Sequence, residues 1–428
     1  MTTIKPKSVT IRSYQVGFGD CFLLTFHYNG KTHDRHVLMD FGSTGQLKRH
    51  GANLMTRVAE DIKNQCNGKL HAVVATHRHK DHISGFATNK KKNGPGDIIA
   101  SCKPDVVLQP WTEHPKAKTN ATQAPTHLTA NKAFVQALGD MHAISAAVLV
   151  EADRRQAMLG AKTFEELKFI GEDNLSNLSA VENLMRMGKK NYYLNFGSKS
   201  GLERVLPGVK VSVLGPPTLK QSSEIKIQRS KDEAEFWQLQ ALANQFVSRR
   251  QAGTFRGAKT YAPTAVPPFT RWFVKRLRSI RGEQLLGIVR ALDKVMNNTS
   301  LILLFEIKKT KMLFPGDAQI ENWSYALSKP AICRRLAKVN VYKVGHHGSR
   351  NATPKTLWNG FENRSTDPNN TARLKSFMST MQGKHGKSAS NTEVPRKTLV
   401  KALETESELH NTQTLTGKKL CESYEIKF

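Results

Sequence analysis

The stretch Ala72-Val73-Val74-Ala75-Thr76-His77-Arg78-His79-Lys80-Asp81-His82 constrains this chain more than any other. Four consecutive apolar residues read as a buried strand, and the polar residues after them as a sharp exit into a loop. Within six positions that loop carries four side chains able to ligate a metal: His77, His79, Asp81 and His82. Neutral imidazole and carboxylate suit zinc and similar divalent ions, and an i, i+2 pair leaving a strand end can bring both imidazoles to one ion. Asp81 and His82 then face a second position beside the first. A lone loop histidine bonds to water and needs no ion, but four such groups at this spacing would be a coincidence in a plain polar loop.

Other stretches carry groups of the same kind. Leu38-Met39-Asp40-Phe41-Gly42-Ser43 and Phe314-Pro315-Gly316-Asp317-Ala318 each put an aspartate at a glycine-containing turn after an apolar run, and Lys343-Val344-Gly345-His346-His347-Gly348-Ser349 delivers two histidines the same way. With Val16-Gly17-Phe18-Gly19-Asp20-Cys21 before them and Asn298-Thr299-Ser300-Leu301 between, these stretches resemble the metallo-β-lactamase superfamily, whose signature is His-x-His-x-Asp-His. Within it the chain is most similar to the hydrolase domain attached to ComEC-type DNA-uptake competence proteins. The resemblance covers most of the chain outside one long insertion.

That resemblance implies an α/β protein with the superfamily's αββα sandwich, and a metal-dependent hydrolase holding a hydroxide between two divalent ions, zinc in the first instance and manganese in the second. It implies that His77 and His79 serve the first ion, that Asp317 bridges the two, and that Asp81, His82 and one of the histidines at 346 and 347 hold the second. We expect His347 to be that ligand and His346 to contact or protonate the reacting oxygen. Asp40 is expected to brace the metal loop and Lys343 to neutralise charge at the reacting centre. Relatives supply a third histidine to the first ion from just after the strand at 105–108. His114 is the nearest candidate here, with Glu113 second, although a plain loop histidine accounts for it equally. His385 and Lys387 line the mouth of the site or belong to an ordinary loop.

The charge balance narrows the substrate. Lys and Arg number 65 against 35 Asp and Glu, a formal +30, and cationic walls steer and concentrate anions. Basicity can serve solubility alone, but joined to a metallohydrolase motif it favours nucleic acid or another phosphate-bearing polyanion as partner. Cys21, Cys66, Cys102, Cys333 and Cys421 are odd in number, scattered and without a Cys-x-x-Cys pair. They argue against a disulfide framework or a thiolate zinc site and for a reducing, cytoplasmic setting. The sequence Met1-Thr2-Thr3-Ile4-Lys5-Pro6 has no signal-peptide core, and no run approaches the ~20 apolar residues of a membrane span. The expectation is a soluble hydrolase without a channel.

Periodicity sets out the organisation. Residues 9–14, 21–28 and 36–40 read as strands and 48–64 as a helix leading to the strand before His77. Further strands are expected at 105–108, 209–214, 301–306, 311–314, 339–344 and 424–428, with helices over 131–154 and around Leu399 and Leu403. We assign 1–217 and 297–428 to the hydrolase core and 218–296 to an inserted basic cap or arm. Its segment from Thr270 to Arg281 interleaves aromatics with cations, so Arg271, Trp272, Lys275, Arg276 and Arg278 could neutralise phosphates and stack bases. The same pattern also suits a helix packing Trp272 on the core with its arginines in water. Three functions follow from these readings: a phosphodiesterase or nuclease; a hydrolase of small esters, lactones or lactams; and a nucleic-acid-binding module whose metal site is structural.

Overall fold

Strict alternation along the strands builds two sheets that share one core. In β2 (Cys21–His27) and β3 (Arg35–Phe41), Phe22, Leu24, Phe26, Val37 and Met39 turn to the same side. There they meet Leu303 and Phe305 of β8 (Ile302–Ile307) and Met312 and Phe314 of β9 (Thr310–Phe314). The rings of Phe22 and Phe314 stand 6.2 Å apart edge to face, and those of Phe26 and Phe305 stack at 6.2 Å. The opposite face of the second sheet presents Ile302, Leu304 and Leu313. These pack against Trp323 and Ala326 of the helix Ile320–Leu327, Leu336 of Pro330–Ala337 and Leu403 of Lys397–Glu406.

This computed structural model describes residues 4–29, 33–45, 48–114, 178–222, 297–349, 352–384 and 393–428. All of them lie in one compact unit drawn from Met1–Thr129, Ser176–Lys226 and Met296–Phe428. The expected helix over 131–154, nearly all of the insertion with Arg271, Trp272, Lys275, Arg276 and Arg278, and the loop holding His385 and Lys387 fall outside the described residues.

The first sheet runs β13 (Cys421–Lys427), β1 (Ser8–Tyr14), β2, β3, β4 (Ala72–Val74), β5 (Val106–Pro110) and β6 (Lys190–Leu194). The second runs β12 (Glu408–Asn411), β11 (Lys375–Met378), β10 (Val341–Lys343), β9, β8 and β7 (Lys210–Gly215). Each is mixed: β13 through β3 pair antiparallel and β3 through β6 parallel, while β7 through β9 are antiparallel and β9 through β12 parallel. The chain is thus an α/β protein with two mixed sheets and several helices. Parallel strands inside a sheet are buried on both faces, which is why β4 and the Val106-Val107-Leu108 stretch of β5 read as apolar runs.

Parallel pairing has the consequence that matters for function. The loops after β3, β4 and β5 emerge at one edge of the first sheet, and those after β9, β10 and β11 at one edge of the second. A backbone bond from Leu301 N to Thr76 O, 2.8 Å, ties the start of β8 to the loop after β4. Ligands leaving carboxyl ends of parallel strands gather where an open α/β sheet places its ligand sites. Among the described residues no helix is long and apolar enough to cross a membrane.

Candidate metal centre

Asp40 stands at the end of β3 with φ +54°, a left-handed conformation that costs a non-glycine residue about 1–2 kcal/mol. That turn aims its carboxylate at the next strand's loop. Thr76 donates its backbone N–H to Oδ1 and its hydroxyl to Oδ2, both at 2.7 Å, and His82 Nδ1 lies 2.9 Å from Oδ2. A carboxylate on Nδ1 fixes the imidazole so that Nε2 faces inward, the support that metal-bound histidines receive. Close approach to the same loop depends on Gly42, where a Cβ would meet Asp81 C and His82 N at 2.4 Å.

The inward atoms converge on Asp317, delivered after β9. Its Oδ2 lies 3.0 Å from His82 Nε2, 3.8 Å from His346 Nε2, 3.9 Å from His347 Nε2 and 4.0 Å from His77 Nε2. Asp81, His82, Asp317 and His347 are all buried, and one donor atom from each falls within 4.8 Å of the others. His77, His79 and Asp81 form a second such group, with His77 Nε2 3.0 Å from His79 Nδ1. Asp20, Asp40 and His82 make a third.

Two observations test whether these residues fit an ion. Asp317 Oδ2, His82 Nε2 and Asp81 Oδ1 are buried without a hydrogen bond, although Oδ2 and Nε2 are only 3.0 Å apart. Burying polar atoms in this way costs about 1–3 kcal/mol each, which a shared cation would remove. His347 Nδ1 donates to the Ser379 carbonyl at 3.0 Å, since a carbonyl oxygen can only accept, and this leaves Nε2 to face Asp81 Oδ2 at 2.9 Å. The buried His and Asp groups could therefore hold a divalent ion that takes nitrogen and oxygen donors.

Electrostatics treat the donors differently. Against burial, the carboxylates of Asp317, Asp81 and Asp40 raise His82 well above the ordinary imidazole range and those of Asp20, Asp81 and Asp317 raise His347, so an ion binding there would displace their protons. Burial, helped by repulsion from His82 and His79, holds His77 well below the ordinary imidazole range, so it stays neutral. Burial alone would push Asp317 up, but the positive charge of protonated His82, with that of His346 and His347, holds it well below the usual carboxylate range. Asp81 is held down in the same way, chiefly by His82 and His347 against burial. Lys343 is 2% exposed, and burial would lower its pKa. Its ammonium ion-pairs with Asp20 and lies 3.7 Å from Asp317 Oδ1, and these charges raise it instead.

Of the residues singled out from sequence, His77, His79, Asp81, His82, Asp317 and His347 come together in these groups, with Asp40 and Lys343 directly behind them. His346 borders the cluster: its backbone N–H donates to Asp317 Oδ1 at 3.0 Å, its Nδ1 is 3.0 Å from Ser349 Oγ, and its side chain is 27% exposed. His346 and His347 both have positive φ, +47° and +52°, so the consecutive rings are turned by a strained backbone. The structure does not bring His114 or Glu113 into any of the groups. The His114 ring packs edge-on against Tyr193 at 4.7 Å, and the Glu113 carboxylate is engaged by Arg78 at 2.6 Å.

Asp20 was not singled out, yet it is fully buried. It accepts the Lys343 ion pair, lies 3.5 Å from His347 Nδ1, and its backbone N–H donates to Asp81 O at 2.9 Å. Asn297 was missed too, and its Oδ1 lies 3.1 Å from His79 Nδ1. No protein-family model matches this chain, and a comparison with curated proteins returns no match either.

Proposed function

We propose that the protein is a metal-dependent phosphodiesterase that cleaves DNA or RNA, built on the metallo-β-lactamase sandwich and most similar to the hydrolase of ComEC-type proteins. The observation that carries the reading is the convergence of four imidazole nitrogens on Asp317 Oδ2 within 4.0 Å. A single carboxylate surrounded in this way has the position of a bridge between two ions. Charge supports that number. Asp20, Asp40, Asp81 and Asp317 bring four negative charges against the one ammonium of Lys343, a remainder of three that one divalent cation cannot offset and two exceed by a single charge.

Bound zinc, or manganese in its place, would supply Lewis acidity and a water whose pKa falls from 15.7 to about 7. His77 and His79 would hold one ion, Asp81, His82 and His347 the other, and Asp317 both. Asp40 orients His82, the Ser379 carbonyl orients His347, and the Lys343 ammonium ion-pairs with Asp20 beside Asp317. His346 has the exposure to meet a substrate, and its Nε2 can give a proton to the departing oxygen while Ser349 Oγ steadies Nδ1. The +30 charge favours a polyanionic substrate, and the basic segment with Arg271, Trp272, Lys275, Arg276 and Arg278 is suited to guide it.

Purified protein incubated with end-labelled single- and double-stranded DNA and RNA, with and without chelator, tests the reading. We expect chelator-sensitive cleavage that Asp317→Ala abolishes. Turnover of a lactone or simple ester with no cleavage of any polynucleotide would replace this function with small-molecule hydrolysis. Tight nucleic-acid binding without turnover would leave a binding module with a structural metal.

A further inference from the structure

Among the described residues, the ion that His77 and His79 would serve has no third donor in the clustered groups beyond the shared carboxylates. The two residues that sequence position favours lie outside the clustered groups: Glu113 pairs with the Arg78 guanidinium, and the His114 ring packs against Tyr193 at 4.7 Å. On the other side of His79 stands a side chain that no motif brought forward. Asn297 is 2% exposed, and its carboxamide oxygen lies 3.1 Å from His79 Nδ1. We propose that Asn297 Oδ1 is the third donor to this first ion, an inference that rests on reading the cluster as a metal centre.

Which nitrogen of His79 it meets separates a ligand from a mere support. A supporting acceptor sits on the imidazole nitrogen that does not bind metal, as Ser379 O does for His347. On His79 the nitrogen that faces its fellow ligand is Nδ1, 3.0 Å from His77 Nε2, and Asn297 Oδ1 faces that same nitrogen. Asn297 is therefore on the ligand side of the ring. The distances agree. Donors bound to one ion at about 2.0–2.1 Å and separated by octahedral to tetrahedral angles stand about 2.9–3.4 Å from each other.

The backbone holds Asn297 there. Ser300 N donates to Asn297 O at 3.1 Å, Leu301 N donates to Thr76 O at 2.8 Å, and Asn322 Nδ2 donates to Ser300 O at 2.8 Å. The segment before β8 is thus fastened both to the metal loop and to the helix Ile320–Leu327. A neutral amide oxygen is a harder and weaker donor than the imidazole expected here. The two positions consequently differ: that of Asp81, His82 and His347 binds its ion tightly, while that of His77, His79 and Asn297 binds more weakly and accepts manganese more readily than three imidazoles would.

Metal analysis and zinc titration of the intact protein test this independently of activity. Wild type is expected to hold two equivalents of zinc, one weaker than the other. Asn297→Ala should keep the tight equivalent and weaken the other by no less than the ~10-fold that loss of even an outer-shell partner costs. Asn297→His should keep both and raise the number of imidazoles per zinc seen by X-ray absorption, which a change outside the coordination sphere would not do. His114→Phe, which preserves the packing on Tyr193, should retain both equivalents. Undiminished affinity for the weaker equivalent in Asn297→Ala, an unchanged imidazole count in folded Asn297→His, or loss of an equivalent in His114→Phe would each overturn the assignment. Wild-type protein that binds no divalent ion would instead overturn the metal centre itself.

Discussion

Replacing Lys343 with Met removes one charge from the interior and keeps nearly the same shape, so the effect measures the charge. The ammonium ion-pairs with Asp20, stands 3.7 Å from Asp317 Oδ1, and donates to Gly316 O at 3.3 Å. At an effective dielectric constant of about 20, attraction across 3.7 Å is ~4–5 kcal/mol for Asp317, before the cost of desolvating the lysine is set against it. Removing one partner from a buried pair leaves the other uncompensated and costs ~3–5 kcal/mol. Lys343→Met should therefore lose about that much stability in chelated protein, read from the midpoint of urea unfolding. Adding zinc should restore part of the loss, because an ion at Asp317 replaces one of the missing contacts and leaves Asp20 unpaired. A chelated variant within ~0.5 kcal/mol of wild type, the range of an ordinary surface change, would show that Lys343 is not the counter-charge of this pocket.

Asp40→Asn puts an amide where Oδ2 accepts from Thr76 Oγ1 and faces His82 Nδ1, so His82 loses the anion that orients it. Zinc affinity should fall ~10–100-fold with folding retained, as measured by competition with a chromophoric chelator, and unchanged affinity would refute the bracing role. His36 and His71 predict acid sensitivity away from the metal. Burial is the chief force pushing both down to about 4 from an ordinary 6.5. Between those values the unfolded chain carries protons that the folded chain refuses, so their contribution is intact above pH 6.5 and is lost as pH falls toward 4. The combined cost is on the order of 5 kcal/mol. A His36→Gln, His71→Gln variant should lose less stability than wild type between pH 7 and 5 in chelated urea titrations, and parallel pH profiles would contradict this.

How much of this was legible depended on whether a residue's role is local. The metal-capable residues from His77 to His82 follow a buried strand directly, and Asp317 and His347 follow apolar runs closed by glycine, so the residues beside them mark all three. Between His346 and His347 the sequence offers only adjacency. What separates them is a pair of positive φ angles that send one ring inward and leave the other 27% exposed. Glu113 looked available because nothing in the sequence says that Arg78, placed between two ligands, reaches across to it. Asp20 was overlooked inside a stretch read as a strand pair, although a carboxylate amid Phe18, Cys21, Phe22 and Leu23 needs a buried partner. Asn297 sits where the insertion returns to the core, and no periodicity marks that return. The edge strands β6 and β12 went unread for a related reason: Lys190-Asn191-Tyr192-Tyr193-Leu194 and Glu408-Leu409-His410-Asn411 are largely half-exposed, and carry little of the apolar alternation that identifies an interior strand.

The clustered groups come from both sheets: Asp40 and the residues from His77 to His82 leave the first, while Asp317 and His347 leave the second. The group of Asp81, His82, Asp317 and His347 cannot form from one sheet alone, since His82 Nε2 and Asp317 Oδ2 meet only when the faces carrying Phe22 and Phe314 have closed on each other. The apolar core therefore brings together carboxylates and imidazoles that would otherwise be solvated apart, and their desolvation opposes that closure. Asp40, Lys343 and Asp20 lessen the opposition by giving the buried groups fixed partners, and an ion held between Asp81, His82, Asp317 and His347 would lessen it further. Because such an ion binds the closed arrangement and finds no equivalent in either sheet by itself, its binding energy is also energy of sheet packing. The same geometry that could make the centre reactive thus couples metal affinity to the stability of the whole core.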